Sequence, residues 1–270
     1  MADETIEENR LSYRESRPGV VLDEYVQCFA EFAVDPDCPP FDHRIMPDGC
    51  CHLSFVRGPG QPMGRLSIVG PRLGPLVVPM RGGQVCWDVK LRPGACEPFL
   101  GVRVEDVVDE VVAAAEVTPR AHAAVQSGLT ESRSAGDAWR VFAEAFLAWL
   151  AAAPPVDPSV ARAVRLIEES GGRAPVSEVA AAAGVSEREL QRRFQRLVGL
   201  SPKQFARIRR LRSCVGNLIR EEPEQWGIVA VRHGYSDQAH LTREFAELSG
   251  LPPTDLQPYI RSIAHHDVIP

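Results

Sequence analysis

The residues best equipped for chemistry lie on two short polar stretches in the second half of the chain. Arg188, Gln191, Arg192 and Gln195 form one set, and Gln238, His240, Thr242 and Arg243 form the other. On a helix, positions three and four apart are neighbours, so each set shares an outward face. Arg binds guanine O6 and N7 bidentately and Gln does the same for adenine, which makes these faces suited to reading base edges. Thr242 suits a thymine methyl or a phosphate. The competing reading is a plain solvated helix face.

Such side chains need a scaffold, and the same scaffold is written twice. Val176 to Phe194 and Ile228 to Phe245 each run as a short apolar helix, a Gly-led turn at Gly184 or Gly234, and a polar helix. In the first copy Leu190, Phe194 and Leu197 recur at helical spacing and face inward. Gly184 stands where a tight turn between crossing helices needs a residue without Cβ. Ser186 with Glu189 forms a capping box for the polar helix. Gly199-Leu-Ser-Pro202 and Gly250-Leu-Pro-Pro253 follow the two copies, and Phe194 to Phe205 lies over Phe245 to Leu256 at constant offset.

Ser201 as N-cap and Pro202 at the first position open a further helix, Lys203 to about Arg220, that bridges the copies. Helix starts at Pro202-Lys203 and Pro253-Thr254 present unpaired N–H groups and a positive dipole end, a phosphate site. The expected phosphate set is Arg196, Lys203, Arg207 and Thr254. Arg209, Arg210 and Arg212 suit either phosphate or ion pairs with Glu221, Glu222 or Glu224.

The first half has another character. Short apolar runs at Val20 to Leu22, Glu24 to Phe32, Cys51 to Val56, Leu66 to Val69, Leu76 to Met80, Val85 to Lys90 and Phe99 to Val104 alternate with Gly/Pro breaks. That pattern predicts an antiparallel barrel or sandwich, a container fold. Trp87, in a run that could face the barrel interior, is the candidate effector-pocket wall. Val104 to Ala115 and Asp137 to Ala152 read as helices. On the latter, Trp139, Phe142, Phe146 and Trp149 fall at helical spacing and either pack on the barrel or form a subunit interface.

The expected fold class is α+β: a mainly β barrel or sandwich with helices over residues 1–153, a Pro-rich linker at 154–158, an all-α domain at 159–262 starting from a Ser159 cap, and a tail at 263–270. Charge divides at the same place. Residues 159–262 carry 16 Lys/Arg against 12 Asp/Glu, whereas residues 1–158 carry 14 against 23. The second half is therefore the basic one despite a net charge of -6 overall, as a nucleic-acid partner requires.

Seven Cys without tight pairing suit a reducing compartment. With an acidic N-terminus showing no secretory pattern and no apolar run long enough to span a bilayer, a cytoplasmic protein with no membrane partner is expected. Cys50-Cys51-His52 invites a metal or thiol reading, yet adjacent cysteines on a strand alternate faces and no C-x2-C pair exists, so core packing is expected, with no metal. HExxH, GxSxG and a phosphate loop are missing, and neither a cofactor nor an enzyme is expected. The alternatives are a thiol- or metal-dependent sensor or alkyl-acceptor repair domain, or a first half that serves only for dimerisation.

The second copy, Gly234-Tyr-Ser-Asp-Gln-Ala-His-Leu-Thr-Arg-Glu-Phe245 followed by Gly250-Leu-x-Pro, resembles the signature of the AraC/XylS family of bacterial transcription regulators, and the likeness runs from Val160 to Tyr259. It implies two helix-turn-helix subdomains joined by a long helix, with recognition helices in successive major grooves of double-stranded DNA. Arg44-Ile-Met-Pro-Asp-Gly49, Val69-Gly-Pro71 and Val89-Lys-Leu-Arg-Pro-Gly94 are similar to an uncharacterised regulatory domain of some members. That likeness implies a small cupin-like barrel that senses a small molecule or dimerises. A homodimer and contact with RNA polymerase belong to the same expectation.

Overall fold

The computed structural model describes residues 11–220 and 225–263. The N-terminal residues before these, Glu221, Glu222, Glu224 and His265-His266 lie outside the described residues, and with them the ion pairs and tail assigned there from sequence. The architecture is α+β: among the described residues the strands all lie in the first half and every element of the second half is a helix.

Strands β1 (Leu11–Ser16), β2 (Val26–Val34), β4 (Cys51–Gly58), β5 (Gln61–Val69), β7 (Val85–Leu91) and β8 (Val111–Ala113) form one antiparallel sheet in the order β1-β2-β7-β4-β5-β8. A second sheet pairs β3 (Phe41–Ile45) with β6 (Leu76–Met80), and Pro79 is tolerated there because each strand of a two-stranded sheet has an open edge. The period-2 alternation of the pleat sorts the central strands. Leu53, Phe55, Trp87, Val89 and Leu91 enter the main core, while His52, Ser54, Asp88 and Lys90 point to the other face.

Helices α3 (Pro119–Glu131) and α4 (Ala135–Leu150) cover the apolar face. Phe142 and Phe146 on α4 are fully buried, and Phe99 meets Phe146 edge-on at 4.7 Å. The aromatic stripe therefore packs within the chain. The sheet does not close into a barrel, because helices already shield the face that closure would have to bury. Trp87 sits in this core, with its Nε1–H donating to Glu31 at 2.9 Å.

Several short runs fold differently from the sequence expectation. Val20 to Leu22 is a turn, and Phe99 to Val104 divides between the end of α1 (Cys96–Leu100) and a single 3₁₀ turn at Val104–Asp106. The helix expected from Val104 contains β8 before α2 (Ala114–Val117). An apolar run this short has too little period to separate helix from strand, so pairing with β5 decides it.

The second half comprises α5 (Pro158–Glu169), α6 (Val176–Ala182), α7 (Glu187–Val198), α8 (Pro202–Arg220), α9 (Trp226–Arg232), α10 (Gln238–Ser249) and α11 (Pro253–Ile263). Asp157, not Ser159, caps α5, its Oδ1 accepting the N–H groups of Ser159 and Val160 at 2.9 and 3.1 Å. Phe194, Phe205 and Phe245, all fully buried, centre a separate core. The Pro-rich connection is pinned, because Val156 is buried and Tyr25 Oη donates to the Pro154 carbonyl. Met46, Leu73 and Val108 from the first half pack on the helical core.

Candidate nucleic-acid interface

Each recognition helix is set by its cap and its buried face. At α7 the Ser186 hydroxyl accepts the Glu189 N–H at 3.2 Å, while Leu190, Phe194 and Leu197 lock the inner side. At α10 Asp237 does the same for the His240 N–H at 2.7 Å, with Leu241, Phe245 and Leu248 inside. The His240 N–H and the Ser236 hydroxyl, both donating to it, hold the Asp237 carboxyl below its ordinary range. Gly184 and Gly234, at φ of 74° and 76°, make the two helix-helix turns in the left-handed region that favours glycine.

On α7, Arg188, Gln191, Arg192 and Gln195 are all exposed. Arg188 and Gln191 form no side-chain bond among the described residues. Arg192 is bonded to Glu189 through Nε and Nη2 at 3.0 and 2.8 Å, and Gln195 donates to the Gly199 carbonyl at 3.3 Å. Glu189 is held down to about 2 by its bonds with Arg192 and Arg193. Arg193 is only partly exposed and reaches Asp157 at 3.0 Å, which ties α7 to the start of α5.

On α10, Gln238 and Arg243 are exposed and form no side-chain bond among the described residues, whereas His240 and Thr242 are half-buried. His240 is positioned by the Ser236 hydroxyl at 3.1 Å and by Tyr235, whose ring lies edge-on at 5.4 Å. Its ring is thus part of the turn as well as of the outward face.

The residues expected on phosphate divide. Lys203 is exposed at the start of α8, where Ser201 and Gln204 form a reciprocal capping box that leaves the Lys203 side chain outside. Thr254 is exposed at the start of α11 and donates to Asp255 at 3.0 Å. Arg196 Nε lies 3.9 Å from Glu97 of α1. Arg207 is held by two carboxylates, Glu244 at 2.8 Å and Glu247 at 2.7 Å, so its fork fastens α8 to α10. Sequence reading missed that tie, since the partners are distant in the chain and Glu244 reads as an ordinary surface position. Arg209 pairs with Glu168, and Arg210 donates to the Gly172 carbonyl.

The first half grips both units. Gly199 and Gly250, at φ of 77° and 74°, end α7 and α10 with their Cα atoms turned to the first half. A Cβ on Gly199 would fall 2.7 Å from Val104 and Val108, and one on Gly250 would fall 2.5 Å from Arg44. Tyr259 Oη accepts the Arg44 N–H at 2.6 Å and lies 3.2 Å from His43 Nδ1. Burial lowers His43 to about 4, which keeps its ring neutral at pH 7.

A buried polar string crosses the outer face of the sheet. Ser54 donates to Asp88, Asp88 meets His52 Nδ1 at 2.7 Å, His52 Nε2 meets Asp48 at 3.2 Å, and Lys90 Nζ meets Asp48 at 2.7 Å. Burial alone would lower His52, but Asp88 and Asp48 outweigh it and push it up to about 10. The polar phase of otherwise apolar strands, His52/Ser54 against Asp88/Lys90, was the available sequence signal. Cys50 is buried beside this string, whereas Cys51 faces the main core, its sulfur 3.0 Å from that of Cys96. Burial raises the Cys50 thiol. Among the described residues no group of three His, Cys, Asp or Glu side chains is arranged to hold a metal ion, and no helix is long and apolar enough to cross a membrane.

Two tandem helix-turn-helix units on one connecting helix define a DNA-binding module as the class to which the second half belongs. A family model described as a helix-turn-helix domain matches residues 179–258, and the C-terminal region carries this domain in its AraC-type form. Residues 14–113 match a domain of unknown function (DUF6597), a span that contains all three N-terminal segments singled out from sequence. No curated protein matches the chain. Among solved structures, a probable AraC family transcriptional regulator from Rhodopseudomonas palustris is similar at 26% identity, with a TM-score of 0.36, covering 39% of this chain and 99% of that one. An AraC-type transcriptional regulator from Chromobacterium violaceum shares 22% identity with a TM-score of 0.35, covering 38% and 92%. ToxT from Vibrio cholerae, bound to (E)-4-(8-methylnaphthalen-1-yl)but-3-enoic acid, shares 8% identity over 95% and 100% of the two chains, with a TM-score of 0.47.

Proposed function

We propose that the chain is a sequence-specific DNA-binding transcription regulator that lays α7 and α10 in successive major grooves and is controlled by a small molecule acting through its first half. The observation that carries this reading is the contrast within each recognition helix. Inward side chains are locked by the core and caps, while Arg188, Gln191, Gln238 and Arg243 project outward without partners among the described residues. Preorganised donors on a helix face are what base readout needs. Arg192, Gln195, His240 and Thr242 complete the reading faces. Lys203, Arg196 and Thr254 serve phosphate, and Arg207 acts as the strut between α8 and α10.

Control from the first half is supported by its grip on the ends of both recognition helices, at Gly199 and Gly250. A ligand that alters this grip changes how the units present themselves to DNA. Genomic footprinting of the full-length protein tests the reading. Discrete protected sites sharing a bipartite sequence are expected, and uniform protection without a shared sequence would overturn it.

A further inference from the structure

A cleft of about 300 Å³ opens between the sheet of the first half and the connecting helix α8. Gln27 and Lys90 line one side and Arg209, Arg212, Ser213 and Asn217 the other, with Glu168, Glu169 and Arg173 at the end of α5 and the turn after it. The walls hold four cationic side chains against two carboxylates, and only two glycines, Gly171 and Gly216, interrupt the polar lining. Arg209 is engaged by Glu168 at 3.5 Å, and Arg173 donates to the Ser170 carbonyl at 2.9 Å. Arg212 has neither an ion pair nor a hydrogen bond among the described residues.

Lys90 reaches the floor of this cleft as the end of the string Ser54, Asp88, His52, Asp48 and Lys90. DNA reading has no use for that string, and a buried ionic network is weak evidence for stability, since apolar replacements of similar volume are often neutral or better. What the string does accomplish is to fix the Lys90 ammonium, 2.7 Å from Asp48, at the junction of the two halves. Ammonium, guanidinium, hydroxyl and amide groups then converge on one space. An aliphatic tail would find no apolar wall there.

We propose that this cleft is an effector site for a small, polar organic anion, one with two or more carboxylate or phosphate groups, held between Lys90 of the sheet and Arg212 of α8. Occupation ties α8 to the sheet. Because α8 joins the two helix-turn-helix units, the bound anion biases their presentation. This consequence for DNA rests on the function proposed above, whereas the binding itself does not.

The test is calorimetric titration of the full-length protein with citrate and, separately, with pyrophosphate, at ionic strength fixed with chloride. Saturable one-to-one binding of at least one anion is expected, weakened tenfold or more by Arg212→Gln and by Ser213→Asp. The second substitution puts a carboxylate at an exposed position of α8 and so does not depend on the fold tolerating loss of Arg212. Arg192→Gln should leave the titration unchanged, and loss of binding there would place the anion on the recognition helix and overturn the assignment. Absence of saturable binding by both anions, or wild-type affinity in both Arg212→Gln and Ser213→Asp, would also overturn it. Citrate alone points to a polycarboxylate, and pyrophosphate alone to a phosphate ester. Repeating the DNA titration with the anion present separates the two claims: a shift of DNA affinity in wild type that Arg212→Gln lacks supports the coupling, and an unchanged affinity rejects it. Intact anion binding in a protein that binds no DNA would leave the site standing and remove the proposed function.

Discussion

The two helix-turn-helix units share a plan and differ in how they are held and what they present. The first shows Arg188 and Gln191 on an exposed face, and its far end meets the first half through Val104, Val108 and the weak Arg196–Glu97 pair. The second shows Gln238 and Arg243, builds His240 into its own turn, and is fastened by polar ties: Arg207 to Glu244 and Tyr259 to the His43-Arg44 segment. We propose that this repeated scaffold supports one unit for base discrimination and another for docking.

The largest expected effect breaks the second unit alone. Glu244 is nearly buried, so Glu244→Ala leaves the Arg207 guanidinium without its main partner and should cost about 3 kcal/mol. Chemical denaturation followed by amide exchange checks this, with α10 and α11 losing protection ahead of α6 and α7. Equal loss in both units would make them one cooperative block. Next in size is base readout. Arg188→Ala should cost about 1 to 3 kcal/mol on the preferred site and relax specificity at one base pair, measured on a panel of operator variants. A uniform loss across the panel would move Arg188 to phosphate.

Acid sharpens the same contrast. His43 is neutral when folded and its value is lowered to about 4, so its contribution is complete above the ordinary histidine value of about 6.5 and fades as pH falls from there towards 4. Its neighbour Tyr259 lies on α11, so the second unit should loosen first in exchange measurements between pH 7 and 4. Simultaneous loosening of the first unit would contradict that order. The smallest effect belongs to phosphate: Lys203→Ala should reduce the slope of log affinity against log salt by about 0.9, and an unchanged slope would remove Lys203 from the contact set.

The helical half was readable because its signals are local. The Ser186 cap, the turn glycines and the Leu190/Phe194/Leu197 spacing each act within one or two turns and reappear in the structure, although the Glu189 carboxylate bonds Arg192 and Arg193 instead of closing the capping box on the Ser186 N–H. The aromatic spacing of α4 likewise survives as a buried face. What escaped reading depends on contacts remote in sequence. Arg207 and Glu244 meet only after α10 folds back on α8, and His52 and Lys90 become partners only through the β4–β7 register. Of the barrel-or-sandwich expectation only barrel closure is absent, for a related reason, since nothing local says that α3 and α4 will cover the sheet. Trp87 shows the limit at one residue: its apolar strand was evident, but its bond to Glu31 within a filled core was not.

The central claim, that two unequal recognition helices read one bipartite site, is tested most directly by selecting full-length protein, Gln191→Ala and Gln238→Ala against a pool of random duplexes. The account predicts two blocks of enriched sequence about one helical turn, roughly 10 base pairs, apart. It further predicts a larger loss of information from Gln191→Ala than from Gln238→Ala. A single block, no enrichment, or a larger loss from Gln238→Ala would contradict it.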